Sequence, residues 1–168
     1  ILDVPDIDIV IELIGGTTVA RDVVVSALEA GKNVVTANKA LMATHGEEVM
    51  HLAEKMNREL AFEASVGGGI PIIDPLKHSL ISNEITSVMG IVNGTTNYML
   101  TRMVDDNLSY DQALKEAQER GFAEADPTAD VDGFDAAAKI AILASIAFNS
   151  RVTLDDVPTE GIRNITTL

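Results

Sequence analysis

The chain is poor in several residue types, and each shortage argues against a class of protein. It contains no cysteine, which excludes disulfides and thiolate metal sites. Its 12 Lys and Arg residues are outnumbered by 26 Asp and Glu residues, giving a net charge of −14, and this disfavours DNA, RNA and anionic membranes as partners. The longest apolar run is too short and too interrupted to span a bilayer, and the first ten residues lack the positive segment of a signal peptide. We therefore expect a soluble, cytoplasmic protein with neither nucleic-acid nor membrane partners.

The first 64 residues alternate between strand-like and helix-like segments. Residues 7–14 (IDIVIELI) are mostly apolar and β-branched, which predicts a largely buried strand. Two further strands are predicted at 32–36 and 59–64, with helices at 17–30 and from the turn at 37–39 to about residue 57. Two strand–helix–strand units imply a parallel sheet with right-handed crossovers. The fold class is therefore α/β, with part of a Rossmann-type sheet followed by a second, α+β domain.

The carboxyl ends of the three strands are rich in Gly and polar residues, as expected of a ligand-binding edge. These ends are 14–16 (IGG), 36–39 (TANK) and 65–69 (SVGGG). The first two ends also have simpler explanations. Gly15 and Gly16 could form only a tight turn, and Lys39 could be only the solvated start of a helix. Three glycines expose backbone carbonyls, and with Glu63 they could hold a hard cation, although a sharp turn into a helix started by Pro71 is the alternative.

After residue 70 the pattern changes. Residues 85–92 (ITSVMGIV) predict a strand, and the polar residues 93–97 (NGTTN) can cap a helix that follows. Residues 108–120 predict an amphipathic helix, which opens with a capping box of Ser109 and Gln112 and ends at Gly121. We place a domain boundary near residues 65–70, between a nucleotide-binding half (1–66) and a second domain (67–168).

The stretch from Gly121 to Lys139 (GFAEADPTADVDGFDAAAK) carries five carboxylates and ends in a lysine. Its Asp, Pro and Gly residues up to Asp132 predict a loop, and an apolar helix begins at Phe134. Asp135 and the lysine share one helix face. This pair could be an ordinary surface ion pair, or a site in which a lysine held away from water moves a proton near neutral pH. A calcium loop is disfavoured because its last ligand position would hold the lysine.

Four segments together resemble homoserine dehydrogenases. They are VVTANKAL, EASVGGGIPII, GIVNGTTNYML and GFAEADPTADVDGFDAAAKIAIL, and the resemblance covers nearly the whole chain. It implies NAD- or NADP-dependent interconversion of L-homoserine and L-aspartate 4-semialdehyde, on the route to threonine, isoleucine and methionine, by a homodimer or larger homo-oligomer. It also implies that a domain carrying the family's dinucleotide-binding Gly loop begins before residue 1, so the 168-residue chain alone is expected to bind cofactor weakly and to be inactive.

The resemblance assigns roles to individual positions. Lys139 matches the catalytic lysine, and Lys39 a second lysine near cofactor and substrate. The positions implied to bind substrate are Glu124, Asp135, Asp130, Gly94 and Thr95. Those implied to contact the cofactor are Ile14, Gly15, Lys39 and Gly121, and those implied to hold a sodium or potassium ion are Glu63, Val66, Gly68 and Ile70. Two alternatives stay open: an oxidoreductase acting on another amino-acid aldehyde, and an inactive piece that serves in self-association.

Overall fold

A computed structural model describes residues 1–166, and their backbone contacts divide into two compact units. The first comprises Ile1–Val88 and Ala138–Asp156, and the second comprises Met89–Ala137 and the residues from Val157 on. None of the helices among the described residues is long and apolar enough to cross a membrane. The predicted domain boundary near residues 65–70 stays a prediction.

The first unit is built on a three-stranded parallel sheet in the order β1-β2-β3. The elements are β1 (Ile9–Glu12), α1 (Val19–Glu29), β2 (Asn33–Thr36), α2 (Lys39–Lys55) and β3 (Leu60–Ala61). The register pairs Glu12 with Thr36, so the carboxyl ends of the first two strands lie side by side. The predicted α/β fold with two strand–helix–strand units is thereby confirmed.

Strand β1 differs from the prediction of a largely buried strand. Its residues alternate, with Val10 and Glu12 buried while Ile9 and Ile11 are 53 % and 66 % exposed. The described residues cover only one face of the sheet, where α1 and α2 pack. The apolar sequence of β1 predicts burial on both faces of the strand, but the described residues cover only one of them.

Strand β3 is shorter than predicted, because the backbone turns after Phe62. The amide of Ser65 donates to the Phe62 carbonyl at 2.9 Å, and a 3₁₀ turn covers Glu63–Ser65. The helix expected to start at Pro71 begins two residues later and continues as a π-helical turn, Pro75–Ser79.

The second unit is built around a pair of helices, α3 (Gly94–Asp105) and α4 (Tyr110–Glu119). Its core contains Met99 and Met103 from α3 and Ala113 and Ala117 from α4, all buried. The small alanines let the helices approach closely, and the predicted capping box of Ser109 and Gln112 is present.

Two predictions for the later part of the chain are wrong. Residues 85–92 form no strand; Met89 and Ile91 are 95 % and 80 % exposed, and no strand among residues 1–166 lies beside them to supply a hydrogen-bonding partner. The acidic stretch contains a short helix, α5 (Thr128–Val131), before the predicted apolar helix α6 (Phe134–Ala147). Pro127 precedes α5 and its carbonyl accepts the amides of residues 130 and 131, each at 2.9 Å. Proline thus starts a helix here instead of prolonging a loop.

Candidate functional site

Two predicted substrate-binding carboxylates meet at one amide in the second unit. The Asn93 Nδ2 group donates to Asp130 Oδ1 at 2.7 Å and to Asp135 Oδ2 at 2.9 Å. Asn93 and Asp135 are each only 8 % exposed. Because both carboxylates accept from the same NH₂ group, their oxygens lie within reach of a single small ligand.

Asn93 is held in this place by its role as the N-cap of α3. Its Oδ1 accepts from the Thr96 amide and from the Thr96 hydroxyl, each at 2.8 Å, which satisfies one of the free amides at the helix start. The next two residues are the predicted site residues Gly94 and Thr95. Thr95 is 8 % exposed, and its hydroxyl donates to the Phe122 carbonyl at 2.7 Å. The start of α3 is thereby tied to the acidic stretch.

The first part of that stretch turns away from α4 at Gly121, whose φ is +77°, a conformation that favours glycine. The Phe122 ring then packs against Tyr98 with a centroid distance of 4.8 Å. Glu124 follows with an exposed side chain, and its carbonyl accepts from the Gln118 side chain at 3.0 Å. Hydrogen bonds from α3 and α4 therefore hold the backbone of this loop, and the side chain of the predicted residue Glu124 is exposed to solvent.

The second part of the stretch is clasped by residues 157–166. The Ile162 amide donates to the Val131 carbonyl at 2.8 Å, and Arg163 Nη2 donates to Asp132 Oδ2 at 3.1 Å. The hydrogen bond from this guanidinium is the main reason that the pKa of Asp132 lies below its usual value. The clasp connects the backbone of α5 to a distant part of the chain.

In the first unit a buried carboxylate links the ends of β1 and β2. Glu12 is 1 % exposed. Its Oε1 accepts from the amides of Ile14 and Gly15 at 2.6 and 3.2 Å, and its Oε2 accepts from the Thr36 hydroxyl at 2.6 Å. The same hydroxyl accepts from the Asn38 amide at 3.0 Å. One carboxylate thus shapes the two loops that leave the sheet edge.

These loops carry the cofactor positions that the resemblance implies. Gly15 and Gly16 have φ values of +81° and +71°, and the space where a Cβ would stand is open at both. Asn38 Nδ2 donates to the Gly16 carbonyl at 2.7 Å, and Lys39 begins α2 directly afterwards. An open glycine backbone at the carboxyl edge of a parallel sheet lets a ligand approach the main chain closely.

Acid should weaken the Glu12 network. Desolvation acts to raise the pKa of Glu12, but the hydrogen bonds from Thr36, Ile14 and Gly15 outweigh it and hold the pKa below the usual value. A carboxyl with a lowered pKa in the folded state stabilises the fold fully above its unfolded pKa of about 4.3, and this contribution is lost as the pH falls below that value. Replacing Glu12 by Gln, which keeps the shape, should lower the free energy of unfolding at pH 7 by about 1–3 kcal/mol.

Urea unfolding at pH 7 and at about pH 4 measures this effect. The Glu12→Gln protein should lose less stability between the two pH values than the parent does. Glu54→Gln, on the exposed side of α2, is the control and should match the parent at both. Equal pH dependence in all three proteins would contradict a contribution from Glu12.

The predicted cation site has a different carboxylate environment from the one expected. Glu63 Oε1 accepts from the amides of Ile72 and Ile73 at 2.6 and 2.9 Å, and its Oε2 accepts from the Asp74 amide at 2.7 Å. Desolvation opposes these bonds, which nevertheless hold the pKa of Glu63 below its usual value. The carboxylate therefore anchors the chain that follows the glycines through three backbone amides.

The carbonyls that the resemblance implies as cation ligands belong to Val66, Gly68 and Ile70, which alternate with two glycines of positive φ. Gly67 and Gly69 have φ values of +64° and +82°, so the chain around Gly68 folds back within a few residues. No backbone amide among residues 1–166 donates to the carbonyl of Val66, Gly68 or Ile70. The described residues hold no cluster of three or more His, Cys, Asp or Glu side chains suited to a metal.

The first unit also contains a cavity of about 880 Å³, whose walls include Phe62, Leu76, Ile142 and Ile146. None of the predicted site residues lines it. This cavity is therefore not part of the predicted site.

The predicted site residues divide between the two units. The second unit holds the substrate-binding positions and Gly121, and the first holds Lys39, Lys139 and the positions implied for cofactor loop and cation. Lys139 lies half-buried on α6, four positions after Asp135. Sequence reasoning expected Asn93 only as a helix cap and overlooked Glu12 and Gln118. One sequence signal could have pointed to Asn93. Capping uses only the side-chain oxygen of asparagine, so its NH₂ group is left to bind another group.

Comparison with known proteins gives the family. A sequence profile described as the NAD-binding domain of homoserine dehydrogenase matches residues 1–63, and one described as homoserine dehydrogenase matches residues 71–168. The parallel sheet and the first match define an α/β protein with an NAD-binding domain. The two matches together cover nearly the whole sequence, and the chain belongs to the homoserine dehydrogenase family.

Individual relatives agree. A homoserine dehydrogenase from Corynebacterium glutamicum is 59 % identical over 95 % of this chain and 36 % of its own length, and one from Bacillus subtilis is 52 % identical over 99 % and 38 %. The crystal structure of a homoserine dehydrogenase from Thiobacillus denitrificans superposes with a TM-score of 0.96 at 48 % identity, over 99 % of this chain and 38 % of that one. A hyperthermophilic archaeal homoserine dehydrogenase in complex with NADPH gives a TM-score of 0.85 at 32 % identity, over 94 % and 48 %. The chain thus spans little more than a third of the length of the curated relatives named here.

Proposed function

We propose that this chain carries the substrate-binding and proton-transfer residues of a homoserine dehydrogenase, which interconverts L-homoserine and L-aspartate 4-semialdehyde with NAD or NADP. The observation that carries the proposal is the pair of carboxylates, Asp130 and Asp135, gathered by Asn93. The substrate has a free α-ammonium group, and carboxylates are its natural partners. Glu124, exposed on the neighbouring loop, is proposed to join them.

Lys139 is proposed to move the proton. In the reductive direction negative charge develops on the aldehyde oxygen, and an ammonium group stabilises that charge and then donates its proton to give the alcohol. In the oxidative direction the neutral amine accepts the hydroxyl proton. A nicotinamide, when bound, gives or takes the hydride. Lys39, beside the Gly15 and Gly16 loop, is proposed to contribute positive charge near both ligands.

The test is a spectrophotometric assay of NAD(P)H formation with L-homoserine. It compares this chain with an extended version, in which residues 1–168 replace the matching residues of the Corynebacterium glutamicum relative. Activity is expected in the extended version. A folded extended version without activity, beside an active unmodified relative, would reject the proposal. Substrate analogues that lack the α-ammonium group should react far more slowly; equal rates would instead favour an oxidoreductase of another aldehyde.

We also propose that the carbonyls of Val66, Gly68 and Ile70, with Glu63, hold a sodium or potassium ion in the extended version. The support is the open carbonyl set described above. Replacing both ions by a bulky organic cation at constant ionic strength should lower the melting temperature. A ligand that binds only the folded state stabilises that state, and its removal takes this stabilisation away. Melting curves that do not change with sodium or potassium concentration would remove the ion from the proposal.

Homo-oligomerisation is proposed as well, as a dimer or larger assembly. The exposed apolar side chains of Met89 and Ile91 support it, since such groups are often covered by a partner. Sedimentation of the extended version tests this. A strict monomer at all concentrations would contradict a role in self-association.

A further inference from the structure

We propose that Gln118 is a positioning residue for the substrate. It holds the backbone around Glu124 so that this carboxylate meets the substrate's α-ammonium group. This inference rests on the function proposed above and adds a residue that lies outside the predicted site.

The contact is a pair of hydrogen bonds from one side chain to two consecutive carbonyls. Gln118 Nε2 donates to the Glu124 carbonyl at 3.0 Å and to the Ala125 carbonyl at 3.4 Å. Gln118 is half-buried and lies in the last turn of α4. The donor thus reaches forward from a regular helix to the part of the loop that carries the carboxylate.

The first half of the loop is held in other ways. The amides of Phe122 and Ala123 both donate to the Ala117 carbonyl, at 2.8 and 3.2 Å, and the Thr95 hydroxyl donates to the Phe122 carbonyl. These bonds stop at residue 123. The following residues, 124 and 125, are exposed, so the Gln118 amide is what connects them to the helix.

The end of α4 from which Gln118 extends is itself well anchored. Glu116 accepts hydrogen bonds from the Tyr98 hydroxyl at 2.8 Å and from Arg102 Nε at 3.1 Å, and it forms an ion pair with Arg120 Nη2 at 2.7 Å. Ala117 is fully buried against α3. A donor on such a support fixes the loop more firmly than a donor on a second loop would.

The chemistry of the side chain fits this role. A neutral amide can donate to carbonyls without bringing charge. A lysine of similar length could make the same contacts, but its ammonium group would lie near the Glu124 carboxylate and would compete with the ammonium group of the substrate. Gln118 therefore orders the loop and leaves the negative charge of Glu124 for the ligand.

The experiment uses the extended version with three substitutions. Gln118→Met removes the donor at nearly constant size, and Gln118→Lys keeps a donor but adds charge. Gln112→Met is the matched control, because it changes the same residue type at the other end of α4, where Gln112 completes the capping box. The measurements are KM for L-homoserine, KM for the nucleotide, and amide hydrogen exchange of residues 122–126.

Gln118→Met should raise KM for L-homoserine about three- to tenfold, the effect of losing one or two weak hydrogen bonds, with KM for the nucleotide unchanged and faster exchange at 122–126. Gln118→Lys should raise the same KM while exchange stays slow. Gln112→Met should lower the melting temperature without moving either KM. An unchanged homoserine KM in Gln118→Met, or equal rises in both KM values, would overturn the inference.

Failure of the proposed function gives a different result. An extended version that does not oxidise L-homoserine rejects the function, and the exchange measurement then decides the contact alone. Faster exchange in Gln118→Met would establish Gln118 as the support of the loop, and equal exchange in parent and variant would reject that too.

Discussion

Replacing Lys139 by Ala in the extended version is expected to lower kcat about 10²–10⁴-fold, the usual contribution of a positioned acid–base group. The same factor should appear in kcat/KM, because the lysine acts on charge that develops only as the reaction proceeds. KM for L-homoserine should change little, since the carboxylates near Asn93 and not Lys139 are proposed to bind the α-ammonium group. Steady-state assays in the oxidative direction measure all three quantities.

Lys115→Ala is the matched control for this experiment. Lys115 lies on α4 with its side chain 78 % exposed and a long contact of 3.9 Å to Glu119, and its replacement should leave kcat unchanged. Melting curves of both variants separate lost catalysis from lost folding. A kcat for Lys139→Ala within tenfold of the parent would remove this lysine from the chemistry.

The second large effect is expected for Gly161, at the clasp over the acidic stretch. A Cβ at this position would lie 2.6 Å from the Val131 carbonyl oxygen and 2.8 Å from the Asp132 Cα atom. Both are backbone atoms and cannot move aside without disturbing α5. Gly161→Ala should therefore lower the free energy of unfolding by about 2–3 kcal/mol, a typical cost of overpacking.

Gly133 faces the same clasp from the other side. Its Cβ would meet Thr159 Cγ2 at 2.9 Å and the Glu160 carbonyl oxygen at 3.0 Å, and its φ is +86°, so Gly133→Ala adds about 1–2 kcal/mol of backbone strain to the crowding. Gly90→Ala is the control, since nothing lies within 4 Å of a Cβ there. In urea unfolding, the control should have nearly the same free energy of unfolding as the parent. Both other variants should have a clearly lower value. A Gly161→Ala protein as stable as the control would show that the clasp is loose.

The sequence predicted those parts of the fold that depend on neighbouring residues. Helix α4 began at its capping box, and α1 ended before Gly31, because capping and glycine act within a few positions. The parallel sheet followed from alternating strands and helices. The segment at 85–92 was predicted wrongly because a strand exists only where another strand pairs with it, and a β-branched sequence does not reveal whether a partner is present.

The site shows the same division. The acidic residues and the lysine could be found from their spacing and from a family resemblance. Their arrangement could not, because Asn93 is 37 residues from Asp130 and 42 from Asp135. Glu63 is similar: its charge was visible in the sequence, but its use by the amides of residues 72–74 depends on how the chain turns.

The two roles of the Asn93 side chain restrict which residues can replace it. As helix caps, Asn, Asp and Ser are nearly equivalent. Here the oxygen of the side chain caps α3 and the nitrogen holds two carboxylates. Aspartate would cap equally well but would place a third negative charge beside the first two, and serine would cap but could not reach both. The two tasks together leave asparagine as the one good helix cap that also serves the carboxylates, so tolerance at residue 93 should be far narrower than capping statistics suggest.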